Sequence, residues 1–168
     1  MDVYIGSDHG GYGLKEKVIE YFKKKKINYF DMTEKFDSKD DYPNVAKAVA
    51  KKVAADLSKG KNTKGILICG TGTGVSLAAN KVKGIRAAPL FTKDKVLLAR
   101  LHNDLNILCL SGLEFPSDLD EHVKNGKYEN LLEFSKETDV KKVIPLIDIF
   151  LNTQFEGGRH KKRVDMIC

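Results

Sequence analysis

The chain has 168 residues, 42% hydrophobic and 31% charged, with a formal net charge of +6; this fits one soluble domain with a sizeable core. No apolar run approaches a membrane span, no basic-then-apolar leader opens the chain, and three cysteines without a pairing pattern point to a reducing compartment, the cytoplasm. The positive charge is scattered and not interleaved with aromatics, so an anionic small substrate explains it better than nucleic acid.

Val3 to Ser7 reads as a first strand running into the turn Asp8-His9-Gly10-Gly11. Leu14, Val18, Ile19 and Phe22 recur at helical spacing up to about Lys26. Lys23 to Lys26 suit the end of that helix, where the dipole favours cations. Ile27 to Met32 is a second short strand, and Asp37 to Asp41 a polar loop. Pro43 opens a helix whose apolar positions Val45, Val49, Val53 and Leu57 fall on every fourth residue, and Gly60 ends it. Gly65 to Cys69 is a continuous apolar run, the pattern of a strand buried on both faces. The turn Gly70-Thr71-Gly72-Thr73-Gly74 follows, then a helix through Val82 that Gly84 closes. Ile85 to Leu90, Lys93 to His102 and Asn106 to Leu110 continue as strand, helix, strand. This rhythm predicts an α/β fold: a Rossmann-like, doubly wound, mainly parallel five-stranded sheet with helices on both faces. Residues 114 to about 138 are a polar insertion expected on the surface with one helical piece. A last long helix runs from Val140 to Leu151, and residues 156–168 form a basic tail. The whole of 1–168 is expected to be a single domain.

In open α/β sheets, ligands bind beyond the carboxyl ends of the strands. Three clusters are expected to converge there: Asp8 and His9, Cys69 to Gly74, and His102-Asn103-Asp104. Glycines at 70, 72 and 74 leave backbone N–H groups able to approach an anion, and a thiol beside them is easier to ionise. A dinucleotide fingerprint would need glycine where Val75 stands, a Walker loop would need Gly-Lys-Ser/Thr, and a cysteine phosphatase loop would need arginine at Val75. What remains suits proton abstraction beside a carbonyl, with N–H donors for the developing enediolate. The same residues also fit a structural glycine turn around an inert thiol. His9 and His102 are proton-shuttle candidates or plain surface histidines. Arg159 and Arg163, four apart, would share a helix face and grip a phosphate, or else belong to a solvated tail. No His/Cys cluster has metal-ligand spacing, so neither metal nor cofactor is expected.

The segments Ser7-Asp8-His9-Gly10-Gly11, Asp41-Tyr42-Pro43, Gly65 to Gly74, Ala78-Ala79-Asn80-Lys81, Gly84-Ile85-Arg86-Ala87, His102-Asn103-Asp104 and Glu156-Gly157-Gly158-Arg159-His160 resemble the type B ribose-5-phosphate isomerases. They span nearly the whole chain in family order. The family also includes galactose-6-phosphate and allose-6-phosphate isomerases, so a six-carbon substrate is the alternative within it. A non-catalytic sugar-phosphate binding module is the alternative outside it. The resemblance implies metal-free interconversion of ribose 5-phosphate and ribulose 5-phosphate. It also implies a homodimer, or a homotetramer of paired dimers, with active sites at the subunit interface. It implies Cys69 as the C1/C2 base, His102 as ring opener with Thr71 assisting, and the Gly70, Gly72, Thr73 and Gly74 backbone as enediolate cradle. Asp8, His9 and Asn103 would contact substrate, and Arg159, His160 and Arg163 would bind phosphate from the neighbouring subunit. Cys69 with Val75 in place of a glutamate points to the cysteine subgroup. Leu113 stands where many members carry a phosphate-binding arginine, so phosphate binding is expected to be weaker or to be rebuilt by a residue such as Lys124 or Lys127.

Overall fold

The computed structural model describes residues 1–117, 119 and 131–167. Five parallel strands form the central sheet: β1 (Asp2–Ser7), β2 (Tyr29–Asp31), β3 (Thr63–Cys69), β4 (Ala87–Pro89) and β5 (Ile107–Ser111), in the order β2-β1-β3-β5-β4. Helices cover both faces. α1 (Tyr12–Lys25), α4 (Lys93–Asn103) and α5 (Val140–Asn152) pack on one side; α2 (Tyr42–Leu57) and α3 (Thr73–Ala79) pack on the other. The alternation of strand side chains assigns the two cores. Ile66, Ile68, Leu108 and Leu110 join the first, while Leu67, Cys69, Ile107 and Cys109 join the second. All seven residues of β3 are buried, as its continuous apolar run requires.

Two elements are shorter than periodicity predicts. α3 stops at Ala79 because the Asn80 side chain bridges instead to β4: its amide donates to Ser76 O and Ala87 O and accepts from Ala87 N–H. β2 is only three residues, because Lys26 takes a left-handed conformation (φ 55°) and delays the start of pairing. Lys23, Lys24 and Lys25 do lie in the last turn of α1.

The chain leaves β1 towards one edge of the sheet and β3 towards the other. The turns after these neighbouring strands therefore diverge and open a crevice. The polar insertion begins and ends in a two-stranded antiparallel ribbon, β6 (Leu113–Glu114) with β7 (Lys136–Glu137), after a short 3-10 helix at Leu131–Phe134. Lys124 and Lys127 lie outside the described residues. The tail forms a short helix, α6 (Arg159–Asp165), which packs on α4. Among the described residues no helix is long and apolar enough to cross a membrane.

Candidate active site

Three turns meet at the carboxyl edge of the sheet, backbone against backbone. A Cβ on Gly11 would lie 2.5 Å from Ile68 O, and one on Gly112 would lie 2.4 Å from Gly10 O. Neither position tolerates a side chain without main-chain movement. The Gly112 N–H donates to Cys69 O at 2.8 Å, and the Leu113 N–H to Gly70 O at 3.1 Å. Ser111 Oγ lies 2.7 Å from Gly70 O and 2.6 Å from Leu113 O, which locks the third turn to the second.

Cys69 is buried, and the Gly72 N–H donates to its Sγ at 3.1 Å. Gly72 adopts φ +76°, which is what aims that N–H back at the sulfur. At the start of α3 the Thr73, Gly74 and Val75 N–H groups precede the first bond of the helix, Ser76 N–H to Gly72 O at 3.3 Å. Thr71 and Thr73 are exposed beside them, and Thr71 Oγ1 accepts from the Thr73 N–H at 3.4 Å. Gly74 is overlaid by Tyr42, whose ring atoms would be 2.9 Å from a Cβ there. A cavity of about 420 Å³ adjoins the turn, lined by Thr71, Thr73, Phe91, Leu113, Phe115 and Thr138 among others.

Asp8 is buried at the end of β1 and accepts the Gly11 N–H at 3.1 Å. Burial pushes its carboxyl up from the usual value, outweighing the opposing pull of His9. The exposed His9 ring sits with Nδ1 2.8 Å from Asp40 Oδ1, which also accepts the His9 N–H. That hydrogen bond raises the His9 pKa, so this edge favours a cationic imidazole.

The expected convergence of His102-Asn103-Asp104 on this edge is corrected by the topology. α4 starts beyond the carboxyl end of β4 and runs back to the amino end of β5, so its last residues lie at the opposite edge. At about 3.3 Å per residue, the five residues of β5 alone separate the two edges by roughly 15 Å. Preceding a strand means standing at its amino end.

At that amino edge a second cluster forms. Asp104, left-handed at φ 46°, ends α4 and pairs with both Arg86 (2.7 Å) and Arg100 (2.9 Å). The His102 ring stacks on His160, with centroids 4.1 Å apart and planes 7° from parallel. Glu156 Oε2 lies 3.8 Å from His102 Nε2 and 4.0 Å from His160 Nε2. Arg159 and Arg163 are exposed on α6, one turn apart, and Asn103 is exposed at the end of α4. The structure thus groups Cys69, Thr71, Thr73, Asp8 and His9 at one edge, and His102, Asn103, Arg159, His160 and Arg163 at the other.

His102, Glu156 and His160 place ligand-type atoms within 4.8 Å of one another. Their chain spacing did not reveal this, because α6 folds back onto α4. The arrangement suits a proton better than a cation. Parallel rings set their nitrogen lone pairs side by side rather than converging, and the Arg159 Nε–H donates to His160 Nε2 at 3.3 Å. Sequence reasoning also passed over Ser111, the last residue of β5, and Asp40 in a loop, short polar residues with nothing in their spacing to mark them.

A family model described as Ribose/Galactose Isomerase matches residues 3–167. A probable ribose-5-phosphate isomerase B of Mycoplasma genitalium is 41% identical over 168 residues, covering 99% of this chain and 93% of the relative. The crystal structure of the Mycoplasma genitalium ribose-5-phosphate isomerase B with bound ribulose-5-phosphate superposes with a TM-score of 0.76 at 38% identity, covering 99% and 93% of the two chains. A ribose 5-phosphate isomerase from Thermotoga maritima superposes at 0.77, with 36% identity and coverage of 99% and 96%. With its motifs in order along nearly the whole chain and its five-stranded sheet shared with these structures, the chain belongs to the ribose/galactose isomerase family.

Proposed function

We propose that this protein interconverts ribose 5-phosphate and ribulose 5-phosphate, with Cys69 as the base. The observation that carries the reading is the Cys69 sulfur, held by the Gly72 N–H inside the glycine turn that leads into α3. After ring opening, the thiolate takes the C2 proton of the open-chain aldose, and the electron pair becomes the C1–C2 double bond of an enediolate. Its negative oxygen is held by N–H groups of the turn from Gly70 to Gly74, that of Gly72 being turned to the sulfur. A proton passes from O2 to O1, and the cysteine returns its proton to C1. Asp8, His9 and Thr71 border the sugar. Cys69, with an apolar, buried Val75 where a glutamate base would stand, supports placing the chain in the cysteine subgroup.

Ring opening belongs to His102, which protonates the ring oxygen as the anomeric hydroxyl loses its proton. One chain cannot bring His102 to its own Cys69, so the reading requires a homodimer in which each site takes Cys69 from one copy and His102, Asn103, Arg159 and Arg163 from the other. Exposed apolar side chains support it at both ends: Tyr42 and Leu77 beside the glycine turn, and Leu98, one turn before His102 on α4. Phosphate is gripped by Arg159 and Arg163, with cationic His9 assisting where Leu113 offers no charge. The compartment that suits this chemistry and these free thiols is the cytoplasm.

The test is a turnover assay on ribose 5-phosphate, allose 6-phosphate and galactose 6-phosphate with wild type and Cys69→Ala. The pentose is expected to be the preferred substrate. The variant should lose at least about a thousandfold in kcat while still binding ribose 5-phosphate. Undiminished turnover in Cys69→Ala removes the proposed base, and preference for a six-carbon substrate moves the protein elsewhere in its family.

A further inference from the structure

The pairing of His160 with His102 goes beyond a phosphate-binding role. We infer that His160 is a positioning residue for ring opening: stacked on His102, it fixes the plane of that ring and leaves His102 alone of the two to carry the working proton. The inference rests on the proposed role of His102 as ring opener.

Three observations support it. First, His160 is buried, whereas Arg159 and Arg163 on the same short helix are exposed. A phosphate ligand belongs on the exposed side. Second, the two rings lie face to face, 4.1 Å apart and within 7° of parallel, so the half-exposed His102 ring has one face fully covered. Rotation of its ring plane would break that contact. Third, the Arg159 Nε–H donates to His160 Nε2 at 3.3 Å, so that nitrogen carries no proton and the neutral ring holds its hydrogen on Nδ1. Burial lowers the His160 pKa most, with His102 and Arg159 adding to the effect. A second proton on His160 would break the Arg159 bond and set a cation against His102. Glu156 therefore has one imidazole to serve, His102 Nε2 at 3.8 Å. The buried ring is a platform, the Glu156 carboxylate lies 3.8 Å from the exposed ring without a hydrogen bond to it, and only that ring exchanges a proton with substrate.

The chemistry supplies a test that separates positioning from general damage. Ribulose 5-phosphate has its C5 oxygen phosphorylated and stays open-chain, so exchange of its C1 proton with deuterated water needs the cysteine base but no ring opening. His160→Ala is expected to lower kcat on ribose 5-phosphate about tenfold, with KM within about twofold. It should keep the rate of C1 exchange in ribulose 5-phosphate. His160→Phe, which can stack but cannot titrate, should recover kcat to within about threefold of wild type. Should His160→Ala fold poorly, the comparison of the two rates in His160→Phe and His160→Gln decides, with only the aromatic variant retaining ring-opening turnover. A KM raised equally in the Ala and Phe variants at unchanged kcat would make His160 a phosphate ligand and overturn the inference. Parallel loss of turnover and exchange would make it merely structural, with the same result. Wild type in the same assay keeps the two proposals apart: no turnover of ribose 5-phosphate overturns the proposed function, whereas normal wild-type turnover with either pattern above overturns the His160 role alone.

Discussion

The two edges of the sheet are built by different means. At the carboxyl edge, Gly10, Gly11, Gly72 and Gly112 let the turns approach so closely that backbone meets backbone, and N–H donors and a single sulfur stand beside Asp8, His9 and Thr71. At the amino edge, side chains do the building: Asp104 between Arg86 and Arg100, and His102 between His160 and Glu156. A backbone-built edge is rigid and intolerant of added carbon. The side-chain-built edge rests on buried Arg100 and His160 and leaves Asn103, Arg159 and Arg163 exposed, as the proposed reach into another copy of the chain requires. On the proposed mechanism, neither edge is a complete active site.

The largest expected effect tests that division directly. Cys69→Ala and His102→Ala are each expected to be inactive as pure proteins. Unfolded together and refolded, or co-expressed, they should form hybrid dimers carrying one site with both groups intact. If chains pair at random, activity returns to about a quarter of the wild-type level. A mixture that stays inactive would show that the two edges do not meet across subunits and would break the comparison.

A stability comparison sharpens it next. Gly11→Ala places a carbon 2.5 Å from Ile68 O, which belongs to backbone and cannot swing aside. A cost of about 1–3 kcal/mol is expected, lowering Tm by roughly 2–12 °C for a chain of this size. Glu156→Ala, at an exposed side chain of the other edge, should change stability by no more than about 0.5 kcal/mol while still impairing ring opening. Equal losses of Tm in the two variants would mean that the edges are not built differently after all.

The carboxyl edge was the more legible in sequence for the same physical reason. A backbone-built turn must use glycine, and glycines written as Gly70, Gly72 and Gly74 after the apolar run to Cys69 announce both the strand and the anion cradle. The fold was equally readable, since β3 and α2 show undisturbed periods of buried strand and amphipathic helix. The amino edge was not. His102 was recognised as a candidate but placed at the wrong end of β5, because proximity in sequence to a strand says nothing until the direction of the preceding helix is traced. The stack with His160 joins residues 58 positions apart through the packing of α6 on α4, which no local period encodes. Asn80 ending α3 early is a similar case: its side chain competes with backbone groups, and the helical period continues past it.

The smallest expected effect sets two histidines against each other, one at each edge. The Asp40 hydrogen bond raises the pKa of His9, and burial lowers that of His160. A raised value means the folded state holds the proton more tightly than the unfolded chain. The stability His9 supplies is therefore fully present below the ordinary histidine value of 6.5 and is lost as pH rises through the raised value. For His160 the sign is reversed: the unfolded chain takes up the proton first, so stability falls as pH drops below 6.5 towards the lowered value. In thermal unfolding across this range, wild type should exceed Asp40→Asn most at acid pH, with the gap closing as His9 deprotonates. His160→Phe should gain on wild type at acid pH and lose that gain above 6.5. Ring-proton NMR titration checks the assignment, with His9 titrating above and His160 below the ordinary value. If both histidines titrate together, the charged imidazole at one edge and the neutral one at the other are not properties of their surroundings, and the electrostatic half of the contrast fails while the packing half stands.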